Sequence, residues 1–147
     1  MPIVRLSQDG RELKALIQLD AACFERAWPV RLVLEELQHP KAVNLAILGE
    51  NGSLKAAILS RLIVDEHWIM RIMTHPQFRR QAFATQLIRS LTFEVLCLEV
   101  GVDNRSAIDF YTSLGFHKIG QRLKYYQGHE NAWIMRLCRT SSSERFA

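Results

Sequence analysis

The sequence predicts one α/β domain built on a mixed β-sheet, and two observations support this fold class. The chain has 147 residues, 48% of them apolar, with only seven glycines and four prolines. That composition suits a single packed domain and excludes disordered, collagen-like and disulfide-stapled chains. Segments with helical and strand periodicity also follow one another in the order ααβββαβαββ, which is typical of an α/β fold.

The first half of the chain is expected to hold two helices and three strands. The predicted helices cover 9–24 and 30–37, and the predicted strands cover 42–48, 54–64 and 67–73. The apolar stripe of the first helix comprises Leu13, Leu16, Ile17 and Ala21. Pro40 ends the second helix, and Asn51-Gly52 is a strong signal for a hairpin between the first two strands.

The second half is expected to continue with two helices and short strands. The predicted helices cover about 80–91 and 105–114, and the predicted strands cover 95–102, 116–119, 123–126 and 132–137. The stripe of the first of these helices comprises Phe83, Ala84, Leu87, Ile88 and Leu91. Asp103 or Asn104 caps the second helix and Gly115 ends it. We expect one domain over 1–147, with a flexible polar tail over 139–147.

The positive charge of the chain is concentrated in one segment. Between residues 67 and 93 there is no Asp, Glu or Lys, but there are four arginines: Arg71, Arg79, Arg80 and Arg89. Without these four, the 19 Lys and Arg residues fall to 15, equal to the 15 Asp and Glu. Because two of them, Arg79 and Arg80, lie at the start of a predicted helix, we expect a phosphate or pyrophosphate site at this strand-to-helix turn. A solvated basic turn is the alternative.

Cysteine and histidine usage predicts neither disulfides nor a metal site. Cys23, Cys97 and Cys138 are widely spaced, and we expect them to be reduced packing residues. His67, His75, His117 and His129 lack metal-ligand spacing and are expected on the surface or in turns. With no apolar run long enough to span a bilayer and no apolar signal core at its N-terminus, the protein is expected to be cytoplasmic.

Two motifs carry a resemblance to a known family. Residues 79–84, Arg-Arg-Gln-Ala-Phe-Ala, look like the coenzyme A signature Q/R-x-x-G-x-G/A of the GNAT superfamily of N-acetyltransferases. Residues 98–116 meet every fixed position of the pattern L-E-V-x-x-x-N-x-x-A-I-x-x-Y-x-x-x-G-F. That pattern resembles the N-terminal acetyltransferases of the RimI type, which modify the terminal alanine of a ribosomal protein. Weaker similarities lie at 23–28 and 125–135.

The resemblance implies a fold, a coenzyme and a set of site residues. It implies a GNAT fold of about seven strands with helices on both faces, and acetyl-CoA bound in a cleft between the strands at 67–73 and 95–102. The implied coenzyme-binding residues are Ile72, Met73, Thr74, Arg79, Arg80, Gln81, Ala82, Phe83, Ala84 and Asn104. Backbone amides around 72–74 would hold the pantetheine arm and the thioester carbonyl. Glu99 would be the catalytic base, acting through water, and Tyr111 the acid; no metal is implied.

The residue pattern supports these positions independently. Strand alternation puts Glu99 on a different face from the apolar residues Leu98 and Val100. Tyr111 follows Asn104 by seven residues, about two helical turns, so both lie on one helix face. Asn104 has three open roles: helix cap, coenzyme contact, or both. Tyr125 and Tyr126 either line the acceptor groove or are ordinary strand residues.

Two features depart from the family pattern. Ala82 replaces the first glycine of the signature, and its methyl would crowd the approach of a pyrophosphate to the backbone. Within a first helical turn, alanine itself carries no cost in helix propensity. Only residues 85–94 separate the signature from the next strand, so the helix is shorter than in family members and the edge of the site is altered.

The expected reaction is direct attack of an amine on acetyl-CoA in a ternary complex. The expected acceptor is the N-terminal α-amine of a protein. Two alternatives stay open, a small-molecule amine acetyltransferase and a non-catalytic acyl-CoA-binding or protein-interaction module. A nucleic-acid partner is not expected, because four arginines with little aromatic interleaving form a weak footprint. No membrane partner is expected, and the chain could be a monomer or a homodimer.

Overall fold

A computed structural model describes residues 2–123 and 131–139. The strands are β1 (Ile3–Arg5), β2 (Leu45–Leu48), β3 (Leu54–Ile63), β4 (Glu66–Thr74), β5 (Val95–Gly101), β6 (His117–Arg122) and β7 (Ala132–Cys138). The α-helices are α1 (Leu13–Cys23), α2 (Val30–Gln38), α3 (Phe83–Ser90) and α4 (Arg105–Ser113). Short 3-10 helices cover Glu50–Gly52 and Pro76–Phe78.

The described strands form one seven-stranded sheet in the order β1-β2-β3-β4-β5-β7-β6. β4 and β5 are parallel, with His67 opposite Leu96 and Trp68 opposite Cys97. The pairs β1–β2, β2–β3, β5–β7 and β6–β7 are antiparallel. The mixed sheet confirms the predicted α/β class. The chain divides into two compact units, Met1–Ile63 with Met70–Thr92, and Val64–Ile69 with Phe93–Ala147.

The first unit is built on an apolar core beneath its two N-terminal helices. Its buried members are Leu6, Leu16, Leu19, Val33, Leu37, Ala46, Leu54, Ala57, Leu59 and Met73. The predicted hairpin is confirmed, because β2 and β3 pair across a turn in which Asn51 and Gly52 both have positive φ. Met73 on β4 packs in this core, and this contact fixes the end of the strand at Thr74 against the core.

The second unit positions a strand followed by a capped helix. Along β5 the residues Leu96, Leu98 and Val100 are buried and Glu99 is only half-buried, as predicted, but Cys97, which shares the Glu99 face, is fully buried as well. Asn104 caps α4, its Oδ1 accepting the Ala107 N–H at 3.2 Å. Gly115 follows the helix with a φ of 104°, a left-handed conformation that favours glycine and ends the helix as predicted.

Several predicted boundaries are wrong. The predicted order starts with α1, but in the structure β1 precedes this helix. β1 pairs with β2, and Ile3 lies opposite Ile47. A three-residue strand cannot display a period of two, so it has no detectable pattern. The helix expected from about 80 starts at Phe83, because Arg80 and Ala82 have positive φ and leave the helical region. The strand expected at 116–119 continues to Arg122, and most of the one expected at 123–126 lies outside the described residues.

Several predicted environments are also wrong. On α1 the buried residues are Leu16, Leu19 and Asp20, whereas Ala21 is exposed. His67 is buried within β4 instead of lying on the surface, and burial lowers the pKa of its imidazole. Cys97 is a buried packing residue as expected, but Cys138 is exposed. Tyr125, Tyr126 and His129 lie outside the described residues.

The described residues contain neither a membrane-spanning helix nor a cluster of metal ligands. Within 2–123 and 131–139, no helix is long and apolar enough to cross a membrane. The same residues hold no group of three or more His, Cys, Asp or Glu side chains that could bind a metal ion.

Candidate active site

The candidate coenzyme-binding segment is the connection between β4 and α3, in the first unit. After Thr74, the Nδ1 of His75 accepts the Gln77 N–H at 3.1 Å and caps the short 3-10 turn. Residues 79–82 then carry the chain to the first residue of α3, Phe83. All four side chains of 79–82 are exposed, so both arginines in this turn face solvent.

The backbone of this turn is strained at two places. Arg80 has a φ of 66° and Ala82 a φ of 61°, in the left-handed region that side-chain-bearing residues rarely adopt. Ala82 is the N-cap of α3 and has no side-chain acceptor for the N–H groups of the first turn. Those N–H groups, together with the positive end of the helix, are suited to an anion. Backbone strain at such a turn is itself typical of functional sites.

The Arg79 side chain is hydrogen-bonded to the end of β4. Its Nε donates to the Thr74 carbonyl oxygen at 3.2 Å, and the Cys23 thiol donates to the same oxygen at 3.3 Å. Burial raises the pKa of Cys23, and Arg79 opposes that shift only partly, so the thiol stays neutral at pH 7. Because Nε is used in this contact, the Nη atoms of Arg79 are the groups that would meet a phosphate.

The four arginines of the basic segment do not act together. Arg71 is ion-paired with Asp20, its Nη2 lying 2.6 Å from Oδ1, and is largely buried. Arg89 lies in the last turn of α3, at the opposite end of the helix from the turn. Of the four, Arg79 and Arg80 are therefore the two whose charge is available at the predicted anion site.

The other residues that are predicted to bind the coenzyme differ in how deeply their side chains are buried. The side chains of Met73 and Phe83 are buried, so these residues can offer only backbone groups to a ligand. Ile72, Thr74 and Ala84 are half-buried. Asn104, in the second unit, uses Oδ1 for the helix cap and also accepts the Ser106 hydroxyl at 3.3 Å. Its role as a cap is confirmed, while its contact with the coenzyme stays a prediction.

Glu99 lies on β5 in the second unit, opposite Ile134 of β7. Arg122 on β6 reaches across β7 and places Nη1 3.3 Å from Glu99 Oε2. The Glu99 side chain is 28% exposed, so its carboxylate is within reach of solvent water. This environment fits a base that relays a proton through water.

Tyr111 lies on α4 with its ring packed between other aromatic rings. The ring centroids of Phe110 and Phe116 are 5.3 and 5.5 Å away. The residue is 8% exposed, and burial raises the pKa of its phenol to about 12. A phenol with this pKa remains protonated at neutral pH. Because a thiol titrates at about 8.5, the phenol supports a thiolate better as a hydrogen-bond donor than by giving up its proton.

Sequence reasoning missed the partners of Arg71 and Glu99. Asp20 could have been flagged, because it falls on the buried side of α1, where a charge requires a buried partner. That partner, Arg71, lies 51 positions further along the chain, so no local sequence pattern indicates the pairing. Arg122 likewise reaches Glu99 only because β7 separates their two strands.

The sequence of the chain is similar to the sequences of known acetyltransferases. A sequence model of the Acetyltransferase (GNAT) family matches residues 13–116. The ribosomal protein bS18-alanine N-acetyltransferase of Salmonella typhimurium is 33% identical over 136 residues, covering 86% of this chain and 90% of that protein. The enzyme of the same name from Escherichia coli K12 is 34% identical over 100 residues, covering 61% of this chain and 68% of that protein.

Solved structures share the fold. The Escherichia coli ribosomal-protein-S18-alanine N-acetyltransferase superposes with a TM-score of 0.82 at 26% identity, covering 99% of this chain and 98% of that one. Arabidopsis thaliana NAA60 in complex with acetyl-CoA superposes with a TM-score of 0.76 at 13% identity, covering 94% and 98%. At that low identity, the second similarity supports the fold alone.

Proposed function

Because the chain belongs to the GNAT family of acetyltransferases, which use acetyl-CoA, we propose that it acetylates the N-terminal α-amine of a protein. The alanine terminus of a ribosomal protein is the proposed acceptor class, supported by the names of the bacterial relatives. The observation that carries the proposal is the β5–α4 unit. This strand and helix carry a water-accessible carboxylate, Glu99, and a protonated phenol, Tyr111, at the two positions that the motif implied.

The residues of the β4–α3 connection fit the phosphates of acetyl-CoA. Arg79 and Arg80 supply exposed guanidinium groups, and the first turn of α3 supplies N–H groups without a side-chain acceptor at the cap. Gln81 and Ala82 contribute the exposed backbone between them. The Ala82 methyl is the one feature that works against close approach of a pyrophosphate.

Other backbone groups would hold the remainder of the donor. Ile72, Met73 and Thr74 would present amides to the pantetheine arm and the thioester carbonyl, acting as oxyanion donors. Phe83 would contribute through its main chain, since its ring is buried, and Ala84 through the first turn of α3. Asn104 would reach the donor through Nδ2, because the helix cap uses Oδ1.

The proposed chemistry is a direct transfer. An α-amine titrates at about 8, so a carboxylate relaying a proton through water can remove it near neutral pH. Glu99 takes that proton through water, and the amine nitrogen then bonds to the acetyl carbon. As the carbon–sulfur bond breaks, its electron pair leaves with the sulfur as a thiolate, and the second proton released by the nitrogen passes to water. Tyr111 donates a hydrogen bond to the departing thiolate. No covalent intermediate with the protein forms.

The proposal is tested with acetyl-CoA and a synthetic peptide library that varies the first residue, read by mass spectrometry of acetylated N-termini. We expect acetylation of α-amines, strongest on the alanine-initiated ribosomal sequence, and a large loss in Glu99→Gln and Tyr111→Phe. Free polyamines and aminoglycosides serve as competing acceptors. Preferential acetylation of these would assign a small-molecule acetyltransferase instead. Micromolar acetyl-CoA binding without transfer to any acceptor would indicate an acyl-CoA-binding module.

A further inference from the structure

A buried ion pair joins β4 to α1 next to the proposed thioester site. Arg71 Nη2 lies 2.6 Å from Asp20 Oδ1, and the two side chains are 15% and 2% exposed. Arg71 directly precedes Ile72, the first of the three residues whose amides are assigned to the donor. A buried pair of this kind stabilises a fold weakly, but losing either partner leaves an uncompensated charge.

The same pair contacts the connection between α1 and α2, residues 24–29, at Phe24, Arg26 and Trp28. The Arg71 guanidinium carbon lies 3.7 Å from the ring centroid of Phe24 and 4.8 Å from that of Trp28. Arg71 Nη2 also donates to the Arg26 carbonyl oxygen at 3.3 Å, and Asp20 Oδ2 accepts the Trp28 N–H at 3.1 Å. One ion pair thus makes four contacts with a segment that has no regular secondary structure.

This segment starts against the end of β4. Cys23, the last residue of α1, donates its thiol hydrogen to the Thr74 carbonyl oxygen at 3.3 Å. The 24–29 segment therefore leaves α1 beside the strand end to which the proposed function assigns the thioester carbonyl.

We propose that Arg71 is a positioning residue that holds the 24–29 segment as a wall of the acceptor path. The inference rests on the proposed function for the location of the thioester. The role requires a planar guanidinium, because the group packs against two aromatic rings while its Nη2 donates to both a carboxylate and a carbonyl. Lysine keeps the charge and can still donate to the carboxylate, but it lacks the planar face that packs against the rings.

A matched ion pair in the same unit provides the control. Arg61 on β3 places Nη2 3.2 Å from Oε1 of Glu36 on α2, with side-chain exposures of 28% and 8%. Like Arg71, it is a strand arginine paired with a buried carboxylate on a helix. In the part of the chain that the structure describes, Arg61 pairs with Glu36 and bridges to Ala42, both outside residues 24–29. Arg61→Lys therefore reports the general effect of weakening such a pair.

The test compares Arg71→Lys, Asp20→Asn and Arg61→Lys with the wild type. For both variants of the Arg71 pair we expect faster amide hydrogen exchange over 24–29. Their acceptor-peptide KM should rise at least about tenfold, while the acetyl-CoA Kd, measured by calorimetry, should stay within about twofold. Arg61→Lys should change none of these. If Asp20→Asn does not fold, Arg71→Lys, which leaves no carboxylate without a nearby cation, carries the test.

Two results would overturn the inference: unchanged exchange over 24–29 in Arg71→Lys, or an acetyl-CoA Kd that worsens as much as the acceptor KM. A wild-type protein that acetylates no peptide would instead refute the proposed function. In that case, the exchange comparison still decides whether Arg71 orders the segment.

Discussion

Arg122 holds its Nη1 3.3 Å from Glu99 Oε2, reaching across the strand between them. The arginine is 58% exposed, and a pair so open to water contributes less than about 1 kcal/mol to stability. Glu99 can therefore be neutralised without unfolding the protein. This separation of stability from chemistry makes Glu99 the most informative of the proposed catalytic residues to change.

Glu99→Gln should lower kcat by about 10²–10³-fold, because the proton relay from the acceptor amine is lost. The unfolding free energy should change by less than about 1 kcal/mol. Steady-state kinetics and urea unfolding measure the two effects. Glu66→Gln is the matched control, since Glu66 is also a half-exposed strand carboxylate paired with an arginine, Arg136. Equal kinetic losses in both variants would remove Glu99 from the mechanism.

The buried phenol of Tyr111 predicts a loss of stability at high pH. Below pH 10 the phenol is protonated in both the folded and the unfolded chain. Between pH 10 and about 12 only the unfolded chain loses this proton, so stability falls by about 1.4 kcal/mol per pH unit. Unfolding free energies at pH 9, 10 and 11 should fall less steeply in Tyr111→Phe. Parallel pH curves for the two proteins would contradict the assigned environment.

The left-handed backbone of Ala82 predicts that glycine is better there. Ala82→Gly should raise the unfolding free energy by about 0.5–1 kcal/mol, because relief of the strained φ exceeds the added entropy of the unfolded chain. It should also tighten acetyl-CoA binding by removing the methyl. Ala84→Gly, inside α3, is the control and should destabilise by a similar amount. Destabilisation by both glycines would show that Ala82 is not strained.

The exposed arginines of the turn predict a local effect on coenzyme affinity. Arg79→Ala and Arg80→Ala should each weaken acetyl-CoA binding by about ten- to a hundredfold, the effect of losing a charge-assisted hydrogen bond to phosphate. Arg89→Ala removes the same charge from the far end of α3 and should have little effect. Calorimetric titration separates the cases. Similar losses in all three variants would indicate a diffuse electrostatic effect instead of a defined site.

The motif that covers β5 and α4 shows which structural features can be predicted from the local sequence. Asn104 caps α4, Gly115 ends it and Glu99 leaves the buried face of β5, all as the sequence predicted. Each of these depends on the conformation of a few consecutive residues, which the local side chains largely determine. The backbone of the basic turn was not predicted, because helix propensity alone placed Ala82 within the first helical turn at no cost. Its left-handed φ is imposed by the path from β4 to α3.

By itself, the sequence determined the α/β class and the family resemblance, and it predicted the roles of Glu99, Tyr111 and the Arg79–Arg80 pair. These are encoded in periodicity and in motifs of adjacent residues. Only the tertiary structure decided which of the four arginines is neutralised and which charge faces Glu99. It also decided that Tyr111 is buried deeply enough to raise its pKa to about 12. Ion pairing and desolvation depend on which distant residues meet, and no local pattern records that.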